Sequence, residues 1–405
     1  MADNKDKKVL NVPALRFPEF SGEWENLRLS DFATKITKKN KGNIVKNILC
    51  NSANLGLVPQ GNYFDREIAN TENTDGYYVI CNGDFVYNPR KSTAAPFGPV
   101  NIYEGEDAGI ISPLYLCFSI HNIFPKFLYY RFKSSAWHSY VYSHGDSGVR
   151  FDRVSIKDDV FFDMPVYKPA QDEQIKIATI LQLIDERIAT QNKIIEKYES
   201  LIQAIIYKAK MDGISKGTWR KIDLYEVLQE RNEKNVEGRT ICSVSVSQGV
   251  VNQIEYLGRS FAAKQTSHYN VVKYGDIVYT KSPTGDFPYG IIKRSDIRQD
   301  VAVSPLYGVY IPANDSMGVI LHFYFMQPCN AFNYLHPLIQ KGAKNTINIS
   351  NGRFLENSVP LPVSESEANT IAVMLKSVQA KIEIEKKLLQ SYAKGKEYLL
   401  HQMFI

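Results

Sequence analysis

A heptad pattern between Gln171 and Lys210 limits the folds open to this chain more than any other feature. Its core positions recur at alternating steps of four and three without Gly or Pro: Ile177, Leu181, Ile184, Ile188, Gln191, Ile195, Tyr198, Ile202 and Ile205. Such a seam predicts one long helix, the central helix, over 171–211. At ~1.5 Å per residue it spans ~60 Å, so it needs a partner along its length.

The same seam returns 194 residues later, near the end of the sequence. Its positions are Ile371, Leu375, Val378, Ile382, Glu385, Leu389, Tyr392, Lys396 and Leu399. The polar Gln191 corresponds to the polar Glu385, and a polar residue at one core position fixes the register of a coiled coil. We therefore expect the two helices to pair. The alternative is two ordinary amphipathic helices, each packed on its own domain.

The regions before the two helices also repeat, at offsets of 192–195 residues. Trp24 corresponds to Trp219, and each is expected to precede a short amphipathic helix. Gly83-Asp84 corresponds to Gly275-Asp276, each read as a turn that leads into a strand. The tetrapeptide Ser-Pro-Leu-Tyr occurs at 112–115 and at 304–307. Tandem duplication follows, with a tail (1–16), a first globular domain (17–170), the central helix (171–211), a second globular domain (212–363) and a C-terminal helix (364–405).

The fold class expected from this order is mixed α/β. Two β-rich α/β domains are separated by two long antiparallel helices that form a coiled coil, and the two copies have pseudo-two-fold symmetry. This arrangement would present two different domains in opposite orientations. Duplex DNA, whose backbone has local two-fold symmetry, is the target that such an arrangement fits.

The bulk composition permits nucleic-acid binding without requiring it. The net charge is +5 and the pI is about 8.7. No run of 18 apolar residues predicts a membrane span, and the polar start lacks the apolar segment of a signal peptide. The five cysteines are scattered, which is typical of a reducing compartment. We expect a cytoplasmic protein of a bacterium or archaeon.

The sequence predicts no catalytic, cofactor or metal site. It lacks a P-loop, a GxGxxG segment and the Asn-Pro-Pro-aromatic tetrapeptide of amino-methyltransferases. Its seven histidines form no ligand cluster with one another or with the cysteines. Asp84 and Asp276 are interpreted as turn caps rather than nuclease carboxylates, because no Glu-x-Lys follows them.

The candidate DNA-binding residues are basic and polar side chains in predicted Gly- and Pro-containing loops. Lys and Arg suit phosphates and guanine edges, whereas Asn, Ser and Thr suit other base edges. For any one of them, plain solvation at the surface is the competing interpretation. The set is Lys38, Lys39, Asn88, Arg90, Lys91, His144, Ser147, Arg150, Lys281, Ser282, Thr284, Lys341, Lys344 and Asn345.

Nearly the whole chain resembles the specificity subunit of type I restriction–modification systems. The resemblance depends on "VPALRFPEFSGEWENLRLSDF", on the two Gly-Asp strands, on the two Ser-Pro-Leu-Tyr segments and on "PVYKPAQDEQIKIATILQLIDERIATQNKIIEKYESLI". The start of the second helix, "PVSESEANTIA", departs from the Pro-x-x-x-Glu-Gln run that is usual in this family.

The resemblance implies a sequence-specific, non-catalytic DNA-binding subunit that serves DNA methylation and phage defence. Each target-recognition domain would read one half of a bipartite, asymmetric DNA sequence. The helices would set the spacer and dock two methyltransferase subunits, to which motor–nuclease subunits add. S-adenosylmethionine, ATP and Mg²⁺ are then expected in the partner subunits and not in this chain.

Two alternatives remain open at this point. The chain could be a non-catalytic cytosolic scaffold, with two β-rich modules on a coiled-coil spacer that binds protein partners. It could also be an orphan specificity subunit without active partners. The target bases and the spacer length do not follow from the sequence, because loop conformation decides which side chain meets which base.

Overall fold

The computed structural model describes residues 10–63, 74–145, 152–259, 262, 265–341 and 347–405. The chain forms two compact units. Unit 1 comprises Met1–Thr190 and Leu389–Ile405, and unit 2 comprises Gln191–Leu388. Among the described residues, no helix has the length and apolar character that crossing a membrane requires.

Unit 1 contains ten short strands and four short helices among its described residues. The strands are β1 (Glu25–Arg28), β2 (Ala33–Lys35), β3 (Leu49–Ser52), β4 (Gly56–Pro59), β5 (Tyr78–Ile80), β6 (Phe85–Tyr87), β7 (Val100–Ile102), β8 (Gly109–Ile111), β9 (Leu116–Ile120) and β10 (Pro165–Lys168). The helices are α1 (Gln60–Tyr63), α2 (Pro125–Lys133), α3 (His138–His144) and α4 (Asp158–Phe162). The long central helix, α5 (Gln171–Lys216), follows and divides between the units.

Unit 2 repeats this order after α5 and adds one small hairpin. Its strands are β11 (Trp219–Asp223), β12 (Leu228–Glu230), β13 (Cys242–Ser245), β14 (Gly249–Asn252), β15 (Asn270–Val272), β16 (Ile277–Tyr279), β17 (Ile292–Arg294), β18 (Val301–Val303), β19 (Gly308–Pro312), β20 (Gln340–Lys341), β21 (Ile347–Asn348) and β22 (Ser358–Pro362). Its helices are α6 (Leu224–Val227), α7 (Gln253–Leu257), α8 (Asp315–Phe325), α9 (Pro328–Leu335), α10 (Asn351–Phe354) and the start of the C-terminal helix α11 (Glu365–Gln402).

Each unit has a four-stranded antiparallel sheet at its centre, with the same strand order. The order is β2-β9-β6-β7 in unit 1 and β12-β19-β16-β17 in unit 2. The register also repeats, because Phe85 pairs with Phe118 and Ile277 pairs with Tyr310. Smaller antiparallel pairs recur likewise, namely β1-β10, β3-β4 and β5-β8 against β11-β22, β13-β14 and β15-β18. The predicted mixed α/β fold with two β-rich halves is confirmed.

The core of unit 1 is aromatic and includes the end of the sequence. Phe85, Phe118 and Phe161 are fully buried and lie near one another, and Trp137 packs on Tyr87 in the same core. Residues 403 and 404 belong to the same core, with 2% and 6% of their surface exposed. The ring of Phe404 lies 5.4 Å from that of Phe127, and the carbonyl of Gln402 accepts a hydrogen bond from the Leu15 N–H. Helix α11 therefore ends inside unit 1.

Two corrections concern the segments around the repeated tryptophans. The predicted short amphipathic helix is wrong in both units, since Trp24 and Trp219 lead into strands β1 and β11 and only a single helical turn follows. Backbone pairing of these strands with β10 and β22 outcompetes the helical periodicity. Helix α5 also runs five residues past its expected end. A Cβ on Gly213 would lie 1.8 Å from Trp219, so this glycine makes room for the indole rather than ending the helix.

The two long helices lie against each other within each unit. In unit 1, the Arg187 guanidinium donates to the Tyr392 hydroxyl at 3.1 Å, and Asp185 pairs with Lys396 at 2.5 Å. Going from Asp185 to Arg187 along the central helix, the contacted residue on the C-terminal helix changes from Lys396 to Tyr392, so the two helices are antiparallel.

In unit 2, the Gln191 amide donates to the Glu385 carboxylate, and Lys381 lies over the Tyr198 ring at 5.9 Å. The pairs Arg187–Tyr392 and Lys381–Tyr198 exchange places when the numbers are shifted by 194. The seam is also the least exposed face of each helix, although Ile177 and Leu181 pack in the domain core of unit 1. The predicted pairing of the long helices is therefore confirmed, and the helices also pack on their own domains.

Candidate nucleic-acid interface

Two equivalent loops leave the central sheets, and the same contacts brace both. These paired loops are residues 88–99 between β6 and β7, and residues 280–291 between β16 and β17. The Tyr87 hydroxyl donates to the Phe97 carbonyl at 2.9 Å, and the Tyr279 hydroxyl donates to the Tyr289 carbonyl at 2.8 Å. Burial raises the pKa of both phenols, so both keep the proton that this hydrogen bond needs.

A glycine closes the neck of each loop. Gly98 and Gly290 have φ angles of +85° and +99°, which L side chains rarely adopt. A Cβ on Gly98 would lie 2.1 Å from the Asn88 carbonyl oxygen, and one on Gly290 would lie 2.8 Å from the Lys281 nitrogen. Any other residue would therefore force the two strands of the neck apart.

Each loop ends in a tight turn. In unit 1, Ser92 and Ala95 exchange two backbone hydrogen bonds of 3.0 and 3.1 Å. In unit 2, Thr284 and Phe287 exchange two of 3.0 Å. The tips therefore have a fixed conformation before any partner binds, which favours selective contacts over adaptive ones.

An aromatic pair supports the base of each loop. The Phe97 ring lies 4.7 Å from the imidazole of His138, and the Tyr289 ring lies 5.2 Å from the Phe332 ring. Burial lowers the pKa of His138, which keeps its ring neutral in this apolar setting. His336 stacks on Phe332 at 5.2 Å and extends the pair in unit 2.

Basic side chains collect where the first loop meets the segment at 152–154. The Lys91 N–H donates to the Asp152 carbonyl, and the Val154 N–H donates to that of Pro89, each at 2.8 Å. The Arg90 guanidinium is 69% exposed and lies 4.0 Å from the Asp152 carboxylate, which is too open a pair to hold it strongly. Lys91 is exposed as well. This edge of unit 1 offers two cations to a polyanion.

The other residues proposed for DNA contact in unit 1 are placed differently. Lys38 is exposed, whereas Lys39 lies 3.5 Å from the Tyr78 ring and donates to the Gly76 carbonyl. His144 is exposed at the end of α3 and stacks on Tyr140. Ser147 and Arg150 lie outside the described residues.

Asn88 is buried at the base of the first loop. Its side chain is only 9% exposed; its amide donates to the Asn51 carbonyl and its oxygen accepts from the Arg90 N–H. Thr280 occupies the equivalent place in unit 2 and is buried too. Both residues support the loop from within in this conformation, and a contact between Asn88 and DNA stays a prediction.

In unit 2, Ser282 and Thr284 are exposed on the second loop. Lys281 is half-buried at a φ of +62°, and burial lowers the pKa of its amine. Lys341 lies in strand β20, and Lys344 and Asn345 lie outside the described residues. The predicted set thus falls near the paired loops only in part.

Sequence reasoning missed three repeated contacts that hold these loops and the helices. The first is Pro-aromatic-Gly at 96–98 and 288–290, which an offset of 192 would have revealed. The second is a buried asparagine that follows a lysine in both units. The Asn40 side chain donates to the Val45 carbonyl and accepts from the Val45 N–H. The Asn235 side chain makes the same two hydrogen bonds with the backbone of Arg239. The third is an indole–carboxylate contact at the start of each long helix.

That contact joins each repeated tryptophan to a glutamate. The Trp24 indole donates to Glu173 at 3.3 Å, and the Trp219 indole donates to Glu367 at 2.9 Å. In unit 1, Arg16 adds two hydrogen bonds of 2.7 Å to the same carboxylate. These carboxylates also lie in the first turn of their helices, where the macrodipole favours negative charge.

The outer faces of the long helices carry exposed apolar side chains. Leu183 is 58% exposed in unit 1, and Val373 and Ile384 are each 64% exposed in unit 2. Apolar residues that are exposed together on one surface often mark a site of protein contact, whereas single ones are ordinary. As for ligands, the described part of the chain contains no group of three or more His, Cys, Asp or Glu residues that could hold a metal ion.

Asp84 and Asp276 cap their turns, as predicted. The Asp84 carboxylate accepts from the Cys81 N–H at 2.7 Å, and that of Asp276 accepts from the Lys273 N–H at 2.8 Å. The repeated Ser-Pro-Leu-Tyr segments likewise form equal turns, in which Tyr115 and Tyr307 donate backbone hydrogen bonds to Ser112 and Ser304.

No family model matches the sequence. The fold is nevertheless similar to that of solved structures over nearly the full length. The S subunit of a type I restriction–modification system from M. genitalium has 14% sequence identity and a TM-score of 0.57, covering 97% of this chain and 99% of that chain. A chain from a structure on complex assembly and conformational transition of a type I system has 13% identity and a TM-score of 0.50, covering 94% of this chain and 97% of that chain. The resemblance inferred from the sequence is confirmed at the level of the fold.

Proposed function

We propose that this chain is the DNA-specificity subunit of a type I restriction–modification complex. The observation that carries the proposal is that the paired loops share the same supporting contacts but have different residues at their exposed tips. A scaffold that is kept while its exposed tip changes is expected where two domains read two different sequences. The domains at 17–170 and 212–363 would each bind one half of a bipartite, asymmetric target.

Catalysis in this proposal belongs to other subunits. Two methyltransferase subunits would dock on the long helices, where exposed apolar residues such as Leu183 and Val373 support a protein contact. Motor–nuclease subunits would join through that complex. S-adenosylmethionine, ATP and Mg²⁺ would bind to those partners in the cytoplasm of a bacterium or archaeon, and the helices would fix the spacer between the half-sites.

The test is selection of binding sites from random duplex DNA by the full-length chain assembled with its methyltransferase partners. The wild-type complex should enrich a bipartite motif, and its affinity should fall steeply as salt rises, because binding releases counterions from the phosphates. The variant Arg90→Ala should weaken preference in one half-site by about 1–3 kcal/mol if the guanidinium contacts a base.

Arg28→Ala is the matched control, since Arg28 is an equally exposed arginine of unit 1 (68%) that belongs to strand β1 rather than to the loop and pairs with Asp163. It should leave the motif unchanged. Binding that is independent of sequence, or insensitive to salt, would instead favour the protein scaffold.

A further inference from the structure

The tips of the paired loops carry opposite hydrogen-bonding chemistry. In unit 1, the exposed charged residues of the loop are Arg90 and Lys91, which only donate hydrogen bonds. In unit 2, Ser282 and Pro283 take these two positions, and the charged residue at the tip is Asp286, which only accepts when ionised. Ala94 occupies the place of Asp286 in unit 1.

Asp286 is held rigidly and points outward. It follows Gly285, whose φ is +51°, in the turn closed by the two hydrogen bonds between Thr284 and Phe287. Phe287 is only 5% exposed and anchors the turn from below. An aspartate in a turn commonly accepts a hydrogen bond from the local backbone. The exposed carboxylate of Asp286, by contrast, has no hydrogen bond or ion pair with any residue in the described ranges.

A free carboxylate at this place is unfavourable for phosphate binding. Two negative charges repel each other, and the cost grows when water is displaced between them. A base edge offers a compensating contact, because cytosine N4 and adenine N6 donate hydrogen bonds in the major groove. Asp and Glu accept from cytosine N4, whereas Arg and Lys donate to guanine O6 and N7.

We propose that the two domains read complementary chemistry, with the first loop selecting a guanine edge through Arg90 or Lys91 and the second selecting an exocyclic amino group through Asp286. This inference rests on the proposed function. Asp286 is then a specificity-determining residue, and the hydroxyls of Ser282 and Thr284 flank it on the same exposed turn.

The experiment compares three variants of the full-length chain in the same assembled complex and the same random-DNA selection. Asp286→Ala removes the acceptor, and Asp286→Asn keeps one acceptor oxygen without the charge. Glu226→Ala is the matched control, an exposed carboxylate of unit 2 in helix α6, outside the paired loops and the long helices. Asp286→Ala should lose about 5- to 150-fold of preference at one position of one half-site. Asp286→Asn should keep part of that preference, and Glu226→Ala should keep all of it.

Two outcomes would overturn the inference while leaving the proposed function intact. In the first, the wild type selects a bipartite motif that Asp286→Ala does not alter. In the second, Asp286→Ala and Asp286→Asn raise the affinity equally for all sequences, as expected if the carboxylate only repels phosphates. A wild-type complex that selects no sequence would overturn the proposed function itself.

Discussion

The repeated aspartates of the two units occupy the same turn in very different surroundings. Asp276 is 2% exposed in unit 2 and pairs with Arg231 through two hydrogen bonds of 2.7 and 3.0 Å. Among the described residues of unit 1, no cation pairs with Asp84 in this way, and burial raises the pKa of its carboxyl. The residue equivalent to Arg231 is Ile36, which packs in a small apolar cluster instead.

The backbone has not changed with these side chains. The N–H groups of Ile36 and Arg231 each donate at 2.8 Å to equivalent carbonyls, those of Cys117 and Val309. Backbone pairing therefore preserves the fold, while the interior side chains of the two units have diverged. Unit 2 should depend on charge pairing where unit 1 depends on apolar packing.

Arg231→Ala should have the largest effect on this comparison. It leaves Asp276 buried without its cation, which costs about 3–5 kcal/mol of the unfolding free energy of unit 2. Hydrogen exchange of peptides from each unit, followed against denaturant, measures this cost. Ile36→Val, the control in unit 1, should cost only about 0.5–1.5 kcal/mol. The double variant Arg231→Ile with Asp276→Asn should recover most of the loss, and no recovery would contradict the pairing argument.

Glu173→Gln and Glu367→Gln compare the starts of the two long helices. Glu173 is 1% exposed and also binds Arg16, whereas Glu367 accepts from neutral donors, Trp219 and Thr218. Because hydrogen bonds between charged groups are the stronger ones, the loss should be about 2–3 kcal/mol in unit 1 and about 1 kcal/mol in unit 2. Peptide-resolved hydrogen exchange at both helix starts is the measurement. Equal losses would mean that Arg16 adds nothing.

Lys293→Met should have a smaller effect than Arg231→Ala or Glu173→Gln, and its effect depends on pH. Lys293 is 3% exposed, and burial lowers its pKa to about 8. The folded state binds this proton less tightly than the unfolded state, so the charged amine destabilises unit 2 below about pH 8, and the penalty fades as the pH rises towards the ordinary value of 10.5. Methionine should therefore stabilise unit 2 by about 1–2 kcal/mol at pH 7 and by roughly a quarter of that near pH 10. Denaturant titrations at both pH values decide this.

Lys133→Met is the matched variant in unit 1. Burial lowers the pKa of Lys133 to about 8 as well, but its ammonium donates to the Asn101 side chain at 2.5 Å. Removing the ammonium leaves Asn101 without that donor, so the increase in the unfolding free energy should be smaller than for Lys293→Met. A larger gain would show that the hydrogen bond does not offset the burial.

Periodicity and repetition predicted the frame of this protein. The seam positions from Ile177 to Leu399 follow from apolar spacing alone, and the strand after each Gly-Asp turn follows from alternation. Both patterns are local in the sequence, and each of them occurs twice because the chain is duplicated. This is why the long helices and the strand after each Gly-Asp turn could be predicted.

Features that depend on distant contacts could not be predicted. Asn88 reads as a loop residue, but pairing with Asn51 in a separate hairpin buries it. The segment after Trp24 has helical periodicity, yet it forms strand β1, because its backbone pairs with strand β10, more than 130 residues away. The conformation of each loop tip likewise depends on contacts that neither sequence periodicity nor residue type specifies.

Because Met403 and Phe404 belong to the core of unit 1, the two units can complete their folding at different points during synthesis. All of unit 2 is continuous in sequence, so it can fold once residue 388 has left the ribosome. Unit 1 begins to emerge first but lacks part of its core until residues 389–405 have been translated. The unit that is synthesised first is therefore completed last, and until then the apolar core that Met403 and Phe404 join lacks these two side chains.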